Sequence, residues 1–499
     1  MEQANGTEHP TNGDHHHKPQ QVPATYLLAT FAATATPKHL TPSLREKVKE
    51  VLLDYIGVAA GALTHADSTT PIYNAISALQ GPTVTTTSPG VCTVIGKGAP
   101  HFLPQYAGLL NAAFGHSLDF DDTYAPGTLH AGVTAISAAL AQTESLVASQ
   151  GEEVSSTEEV MLAISVGYEV TCRLGRELGY EAYSRGFHNT STAGIFGAVA
   201  AIAVLKHLPT ETIEMAFGLA GSKAAGSMQY LDNGSWNKRL HPGFAVHDAF
   251  MCVALAEAGV IGATKILEGK AGFFNAYTPN QNINFHQLVD GLGEQWTWLA
   301  SALKPYPACR MTHGFIELCG HIHDSHTQKT TTAAGKALSV EDIRAIELTM
   351  SPSNHLLIGD PTPNKRHPTN VIDAQFSAYF QVAHALLHGA KTGDMAPYSR
   401  LHDAALHRMT DKITVRTDAA MKQFAAKVEL VWQNGGEVEA VEQEYPLGEV
   451  EHPFTRDKVE EKFRSLAGPV FGEQKAAEIV GVVDGLERHS IMDLVTLLR

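Results

Sequence analysis

Apolar residues recur at helical spacing through most of the first three hundred positions. Behind Thr41-Pro42, a hydroxyl cap followed by proline at the first helical position, Leu44, Val48, Val51, Leu52, Tyr55 and Ile56 fall on one face. Thr70-Pro71 repeats the start signal ahead of Ile72, and Ser156 with Glu159 forms a capping box that opens a helix over 160–174. The run 193–205 is apolar on all sides and holds Gly194 and Gly197. It reads as a buried central helix whose glycines permit close approach, and it is too short to span a bilayer. Leu208-Pro209-Thr210 punctuates the chain and starts another helix over 213–219.

The pattern changes after Leu303. Ile346, Leu348 and Met350 alternate with Glu347 and Thr349, as in a half-buried strand, and Ile413-Thr414-Val415 is a second short strand. Val428, Leu430 and Trp432 alternate with polar residues, and Asn434-Gly435-Gly436 offers a tight turn into Val438. Past Pro446 helical spacing returns over 455–466, 473–486 and 492–498. The predicted fold is mostly α. A polar tail (1–23) precedes a large helical domain (24–300), then comes a smaller α+β domain (301–450), and a final helical stretch (451–499) returns to the first domain.

With 499 residues, 44% of them hydrophobic, the chain is long enough for two or more folding units and needs neither metal nor disulfide for stability. The net charge of -16 excludes nucleic acid as a natural partner, although a local cluster of cations can still hold a small anion. The five cysteines (Cys92, Cys172, Cys252, Cys309, Cys319) are odd in number, scattered and without a CxxC pair. They imply free thiols in a reducing compartment. The first residues are polar, lack an apolar segment, and carry Glu2, Glu8 and Asp14, which opposes a secretory signal or a transit peptide. A cytoplasmic location is expected, with a mitochondrial one left open, and no membrane partner. His15-His16-His17 belongs to a disordered tail rather than to a metal site.

Four short segments concentrate chemistry. The first is His116-Ser117-Leu118-Asp119-Phe120-Asp121-Asp122-Thr123, with His130 beyond it. On a helix His116, Asp119 and Thr123 would share a face. Three carboxylates in four residues repel one another unless cations or hydrogen bonds compensate, so the cluster reads as a carboxylate held near a histidine for proton transfer. The competing readings are plain capping with surface charge, and a magnesium site whose DDxxD spacing is absent. The second segment, Arg185-Gly186-Phe187-His188-Asn189, ends just before the buried helix and places His188 at a helix N-terminus, as an acid or base or, on this segment alone, as a capping or packing residue. The third, Asn237-Lys238-Arg239-Leu240-His241-Pro242-Gly243, is a carboxylate clamp or a solvated basic turn. The fourth, Lys304-Pro305-Tyr306-Pro307-Ala308-Cys309-Arg310, is either a plain interdomain linker or a stiff loop that presents its cations at the boundary between the two domains, where ligand clefts form. No nucleotide-binding glycine loop, Walker lysine or nucleophile elbow is present.

Taken together, in order and spacing over about 26–490, these segments resemble the MmgE/PrpD family of 2-methylcitrate dehydratases and cis-aconitate decarboxylases. The resemblance implies a large all-helical domain built from both ends of the chain, a smaller α+β lid, a homodimer, and an active site between body and lid that uses no metal and no organic cofactor. By position it assigns catalytic roles to Asp119, Thr123, His130, His188, Lys238 and Lys304. Cys309 falls where some decarboxylases of the family carry histidine. A tyrosine that some members contribute from a lid loop has no counterpart between Leu357 and Pro368.

The expected substrate is a small polycarboxylate. Lys238 and Lys304, helped by Arg310, would bind carboxylates and stabilise developing charge, His130 and His188 would share acid and base work, and Asp119 and Thr123 would orient His130 or a substrate hydroxyl. Arg239, His241 and Cys309 complete the expected substrate contacts. The leading expectation is a hydro-lyase that dehydrates 2-methylcitrate or a longer alkylcitrate. The close alternative is decarboxylation of cis-aconitate to itaconate. An inactive family member serving as a binding protein is the alternative of a different class, and it separates from the enzymes by whether the six catalytic candidates converge in space.

Overall fold

The computed structural model describes residues 22–82, 90–99, 101–151, 156–280, 282–330, 338–433 and 438–499, with no account of the side chains of 328–330. The histidine run of the tail and the turn at 434–436 lie outside the described residues.

Local start signals act where the sequence places them. Thr41 caps the helix Pro42–His65 by accepting the Leu44 N–H at 3.2 Å. Ser156 and Glu159 form the expected capping box at the head of Thr157–Ser184, which runs well past residue 174 and is broken at Gly179 by a positive φ of 60°. The helix Gly194–Leu205 is buried along its whole length. A Cβ on Gly197 would lie 2.4 Å from the Gly167 carbonyl oxygen, so glycine there is what lets this helix touch Thr157–Ser184 backbone to backbone.

Two hydrophobic cores divide the chain. One gathers residues from Ala24 through Leu303 and resumes from Val459 to Leu498. The helix Arg456–Phe471 lies so close on Pro42–His65 that a Cβ on Gly57 would meet the Phe463 backbone at 3.1 Å. The helices Glu473–Asp484 and Ile491–Leu497 complete this return to the helical body. The second core runs from Tyr306 to Leu430. Its sheet holds β1 (Ile343–Met350), β2 (Ile413–Thr417), β3 (Ala426–Trp432) and β4 (Val438–Gln443) in the order β2-β1-β3-β4. β1 and β2 are parallel and the other pairs antiparallel, with Ile346 opposite both Ile413 and Leu430. The helices His313–Thr330 and Ala378–His388 pack on each other and share this core. The protein is therefore mostly α, a large helical body with a small α+β lid. Among the described residues no helix is long and apolar enough to cross a membrane.

Candidate active site

The helical reading of His116 through Thr123 does not hold. The helix Pro104–His116 stops at His116, and Asp119 takes a positive φ of 51°, a conformation that aspartate tolerates better than most residues but that ends any helix. His116, Asp119 and Thr123 therefore share no helical face. The loop that replaces the helix is pinned by distant parts of the chain. Lys462, from the C-terminal return, donates to the Phe120 carbonyl at 2.7 Å, and Gln375, from the lid, donates to the Leu118 carbonyl at 2.8 Å. Thr123 and Ala302 exchange two backbone hydrogen bonds of 2.8 Å each.

This loop forms one wall of a cavity between body and lid. Asp119, Thr123, His130, His188, Lys238, Lys304, Cys309 and Arg310 all line it. The cavity is about 80 Å³, room for about three waters at liquid density. Apolar groups also line it, chiefly Leu129, Met311, Leu357, Phe376 and Phe424, and Tyr183 reaches it from the end of Thr157–Ser184.

Asp119 is the hub. Its Oδ1 lies 2.6 Å from Lys238 Nζ, 3.0 Å from Lys304 Nζ and 3.5 Å from His130 Nε2. Lys304 also donates to the Asp119 carbonyl. Asp119 Oδ2 has no hydrogen-bond partner among the described residues. Burial alone would raise this carboxyl, but Lys238, Lys304 and the two imidazoles of His130 and His116 overcome it and hold Asp119 well below the usual carboxylate range. Lys238 sits in the first turn of Asn237–Glu257, where the helix dipole opposes a cation. The aspartate facing it supplies the compensation. Lys304 is fully buried, and desolvation lowers its ammonium despite Asp119.

The three neighbouring carboxylates avoid mutual repulsion by taking three different partners. Asp119 faces the lysines. Asp121 lies 2.8 Å from His116 Nδ1 and 3.2 Å from His130 Nδ1. Against the pull of burial, these two imidazoles hold its carboxyl well below the usual range. Asp122 makes no ion pair among the described residues, accepts the Gly132 N–H at 3.1 Å, and is pushed up to about 8 by burial and then by the charges of Asp121 and Asp54. It is therefore neutral near pH 7.

The histidines are held uncharged. Burial lowers His130 to about 4 against the opposing charge of Asp121. Burial, the neighbouring imidazoles of His241 and His116 and the Lys238 ammonium keep His188 well below its ordinary range. His188 Nδ1 lies 3.0 Å from His241 Nδ1, and burial brings His241 down to about 4. The His130 backbone N–H is fixed by Thr190 Oγ1 at 3.1 Å, so the segment after His188 also positions His130. Burial pushes Cys309 up to about 11, so a thiol and not a thiolate faces the cavity.

Two expected substrate contacts lie elsewhere. Arg239 Nη1 donates to Ser68 Oγ at 2.8 Å and is not among the cavity-lining residues. Adjacent residues on a helix point about 100° apart, so the helix that aims Lys238 at the cavity turns Arg239 away. His241 does not line the cavity either, and it contacts His188 from behind. Arg310 does line it, but its charge is matched by a two-point pair with Glu449, while Nη1 donates to Thr123 Oγ1 at 2.7 Å and the guanidinium lies 4.2 Å from the Phe424 ring centre. His116, Asp121, Tyr183, Phe376 and Phe424 were given no individual role by the sequence. Only the carboxylate crowding pointed at Asp121. His116, Asp121 and His130 each offer an atom within 4.8 Å of the others, compact enough to hold a cation. The same spacing is that of one carboxylate accepting from two imidazoles.

Comparison with known proteins agrees with this architecture. The MmgE/PrpD N-terminal domain matches residues 27–286, and the MmgE/PrpD C-terminal domain matches residues 306–488. The chain is 27% identical over 429 residues to a cis-aconitate decarboxylase of Aspergillus terreus, covering 82% of this chain and 84% of that protein. It is 25% identical over 486 residues to the cis-aconitate decarboxylase-like protein oryM of Aspergillus oryzae, covering 94% and 96%. It is 24% identical over 475 residues to a cis-aconitate decarboxylase of Homo sapiens, covering 92% and 91%. The first match lies within the helical body, the second covers the lid and most of the C-terminal return to the body, and the chain belongs to the MmgE/PrpD family.

Proposed function

We propose that this protein is a carboxy-lyase that removes carbon dioxide from a small unsaturated tricarboxylate of the cis-aconitate type, without metal or organic cofactor. The observation that carries the reading is the pairing of two buried lysines, Lys238 and Lys304, on a single carboxylate oxygen of Asp119 in the cavity between body and lid. An incoming substrate carboxylate competes with Asp119 for the two ammonium groups, which then stabilise the charge that develops as the C–C bond breaks. The bonding pair moves into the remaining conjugated carboxylate. The carbon then takes a proton, and the tricarboxylate leaves as a dicarboxylate and CO₂. His130 and His188 are the groups placed to deliver that proton. The negative charge of a bound polyanion raises both imidazoles from their depressed free values and charges them for the task. The names of the relatives support the same reaction.

A second reading is dehydration of a citrate-type acid, and one observation favours it. A His130 imidazole lowered to about 4 is a free base at neutral pH, and dehydration needs a base to remove a proton while decarboxylation does not. Incubating the protein with cis-aconitate, citrate and 2-methylcitrate and following products by NMR separates the two. Itaconate with no dehydration of either citrate supports the decarboxylase. An unsaturated acid formed from a citrate, with cis-aconitate left intact, overturns it. Inertness toward all three in a correctly folded preparation overturns both.

A further inference from the structure

Asp121 is 1% exposed, does not line the cavity, and yet its carboxylate meets two imidazoles, His116 Nδ1 at 2.8 Å and His130 Nδ1 at 3.2 Å. Asp121 Oδ1 and His130 Nδ1 are both buried, face each other at 3.2 Å without forming an aligned hydrogen bond, and have no hydrogen-bond partner elsewhere among the described residues. We propose that Asp121 is a positioning residue that fixes the tautomer of His130, holding its Nδ1–H so that a bare Nε2 faces Asp119 and the cavity. The proposal rests on the reading of His130 as a proton carrier and deepens it.

An ionised carboxylate only accepts hydrogen bonds, so a ring nitrogen held against it carries the proton, and the other nitrogen of a neutral imidazole is then free. For His130 the other nitrogen is Nε2, 3.5 Å from Asp119 Oδ1, where Lys238 and Lys304 converge. Once Nε2 takes a proton, the imidazolium lies between two carboxylates. His116 shares Asp121 from the far side, with its ring centre 4.6 Å from that of His130 and 5.5 Å from that of His188. Other elements also face the pair. Asp54 and Tyr55 come from Pro42–His65, Lys462 from Arg456–Phe471, Lys238 from Asn237–Glu257, and Asp122 and Lys304 from the flanking loops. Lys462 already makes its closest ion pair with Asp54 at 2.6 Å, which leaves the imidazoles as the nearest partners of Asp121.

The test is the pH dependence of kcat and KM for Asp121→Asn, Asp121→Glu, His116→Gln and His130→Gln on the acid that the protein turns over. Asp121→Asn is expected to lower kcat by about 100-fold, with KM changed little because the lysines are untouched. Loss of its negative charge disfavours the imidazolium, so the limb of the pH profile set by His130 moves to lower pH. Asp121→Glu restores the charge and brings the limb back. His116→Gln moves it the other way, because His116 lowers His130. Should Asp121→Asn fail to fold, Asp121→Glu and His116→Gln still report on the same limb. Full activity in Asp121→Asn, lost activity with an unmoved limb, or a stoichiometric metal whose chelation abolishes turnover would each overturn the proposal. Full activity in His130→Gln would instead remove the role given to His130 itself.

Discussion

Asp119→Asn is the most direct probe of the site, because it keeps the shape and removes one charge. At an effective dielectric of about 20, a unit pair at 2.6–3.0 Å is worth about 6 kcal/mol of gross attraction. Asp119 makes two such pairs, and asparagine leaves two buried ammonium groups facing each other with only a carbonyl between them. The net loss is smaller, since breaking a buried pair from one side costs about 3–5 kcal/mol. It also has a ceiling. One lysine can shed its proton, and moving a group from an unfolded pKa near 10.4 to neutrality at pH 7 costs about 4.6 kcal/mol. Lys304 is the one to do so, because burial already lowers it.

That escape route gives the deficit a pH signature. A lysine whose folded pKa is depressed destabilises the protein most at low pH, and its cost disappears as pH rises toward the unfolded value. If Lys304 is neutral in the folded variant, the deficit shrinks by about 2.7 kcal/mol between pH 7 and pH 9. Urea unfolding of wild type and variant at both pH values reads it directly. A tricarboxylate added at pH 7 should also stabilise the variant more than the wild type, because it no longer competes with an internal carboxylate. A variant within 1 kcal/mol of wild type, with the same pH dependence and the same response to ligand, would refute the idea that Asp119 holds the two lysines.

Other consequences can be checked together. Gly132→Ala would set a Cβ 1.9 Å from Tyr168 Oη and 2.3 Å from Asp122 Oδ1, against a tyrosine held on Trp298 with ring centres 4.6 Å apart. A loss of about 2–3 kcal/mol in denaturant unfolding, with activity falling as the loop bearing Asp121 and Asp122 shifts, is expected. Binding of a tricarboxylate should take up protons at pH 6.5, since added negative charge raises His130 and His188 from their lowered free values. Calorimetry in buffers of different ionisation enthalpy measures the number, and zero uptake or release contradicts the assignment. The unliganded protein should lose stability steeply from about pH 6.5 downward. His130, His188 and His241 are all depressed in the folded state, so the unfolded chain binds the extra protons and stability falls as pH drops toward 4. Acid titration followed by near-UV circular dichroism would show it.

What the sequence made legible was whatever a short stretch decides by itself. Thr41-Pro42 and Ser156 with Glu159 start helices because a cap bonds to N–H groups three residues away, and the alternation around Leu348 and Leu430 marks strands because side chains there need only a sheet neighbour. The loop at Asp119 was not legible. Its helical spacing is genuine, but the conformation is fixed by Lys462, 342 residues further on, and by Gln375 from the lid, and no local pattern carries that information. Arg239 shows the same limit on a smaller scale. Residue type made it a partner for Lys238, while one step along a helix turned it toward Ser68. The crowding of Asp119, Asp121 and Asp122 was informative for the opposite reason. Three carboxylates so close cannot all be charged without compensation, so the sequence alone implied that cations or hydrogen bonds must meet them. In the structure one is met by lysines from two distant segments, one by imidazoles, and the third gives up its charge. An uncompensated local charge cluster is thus a statement about long-range contacts, and here it marks the seam where body, lid and C-terminal return meet.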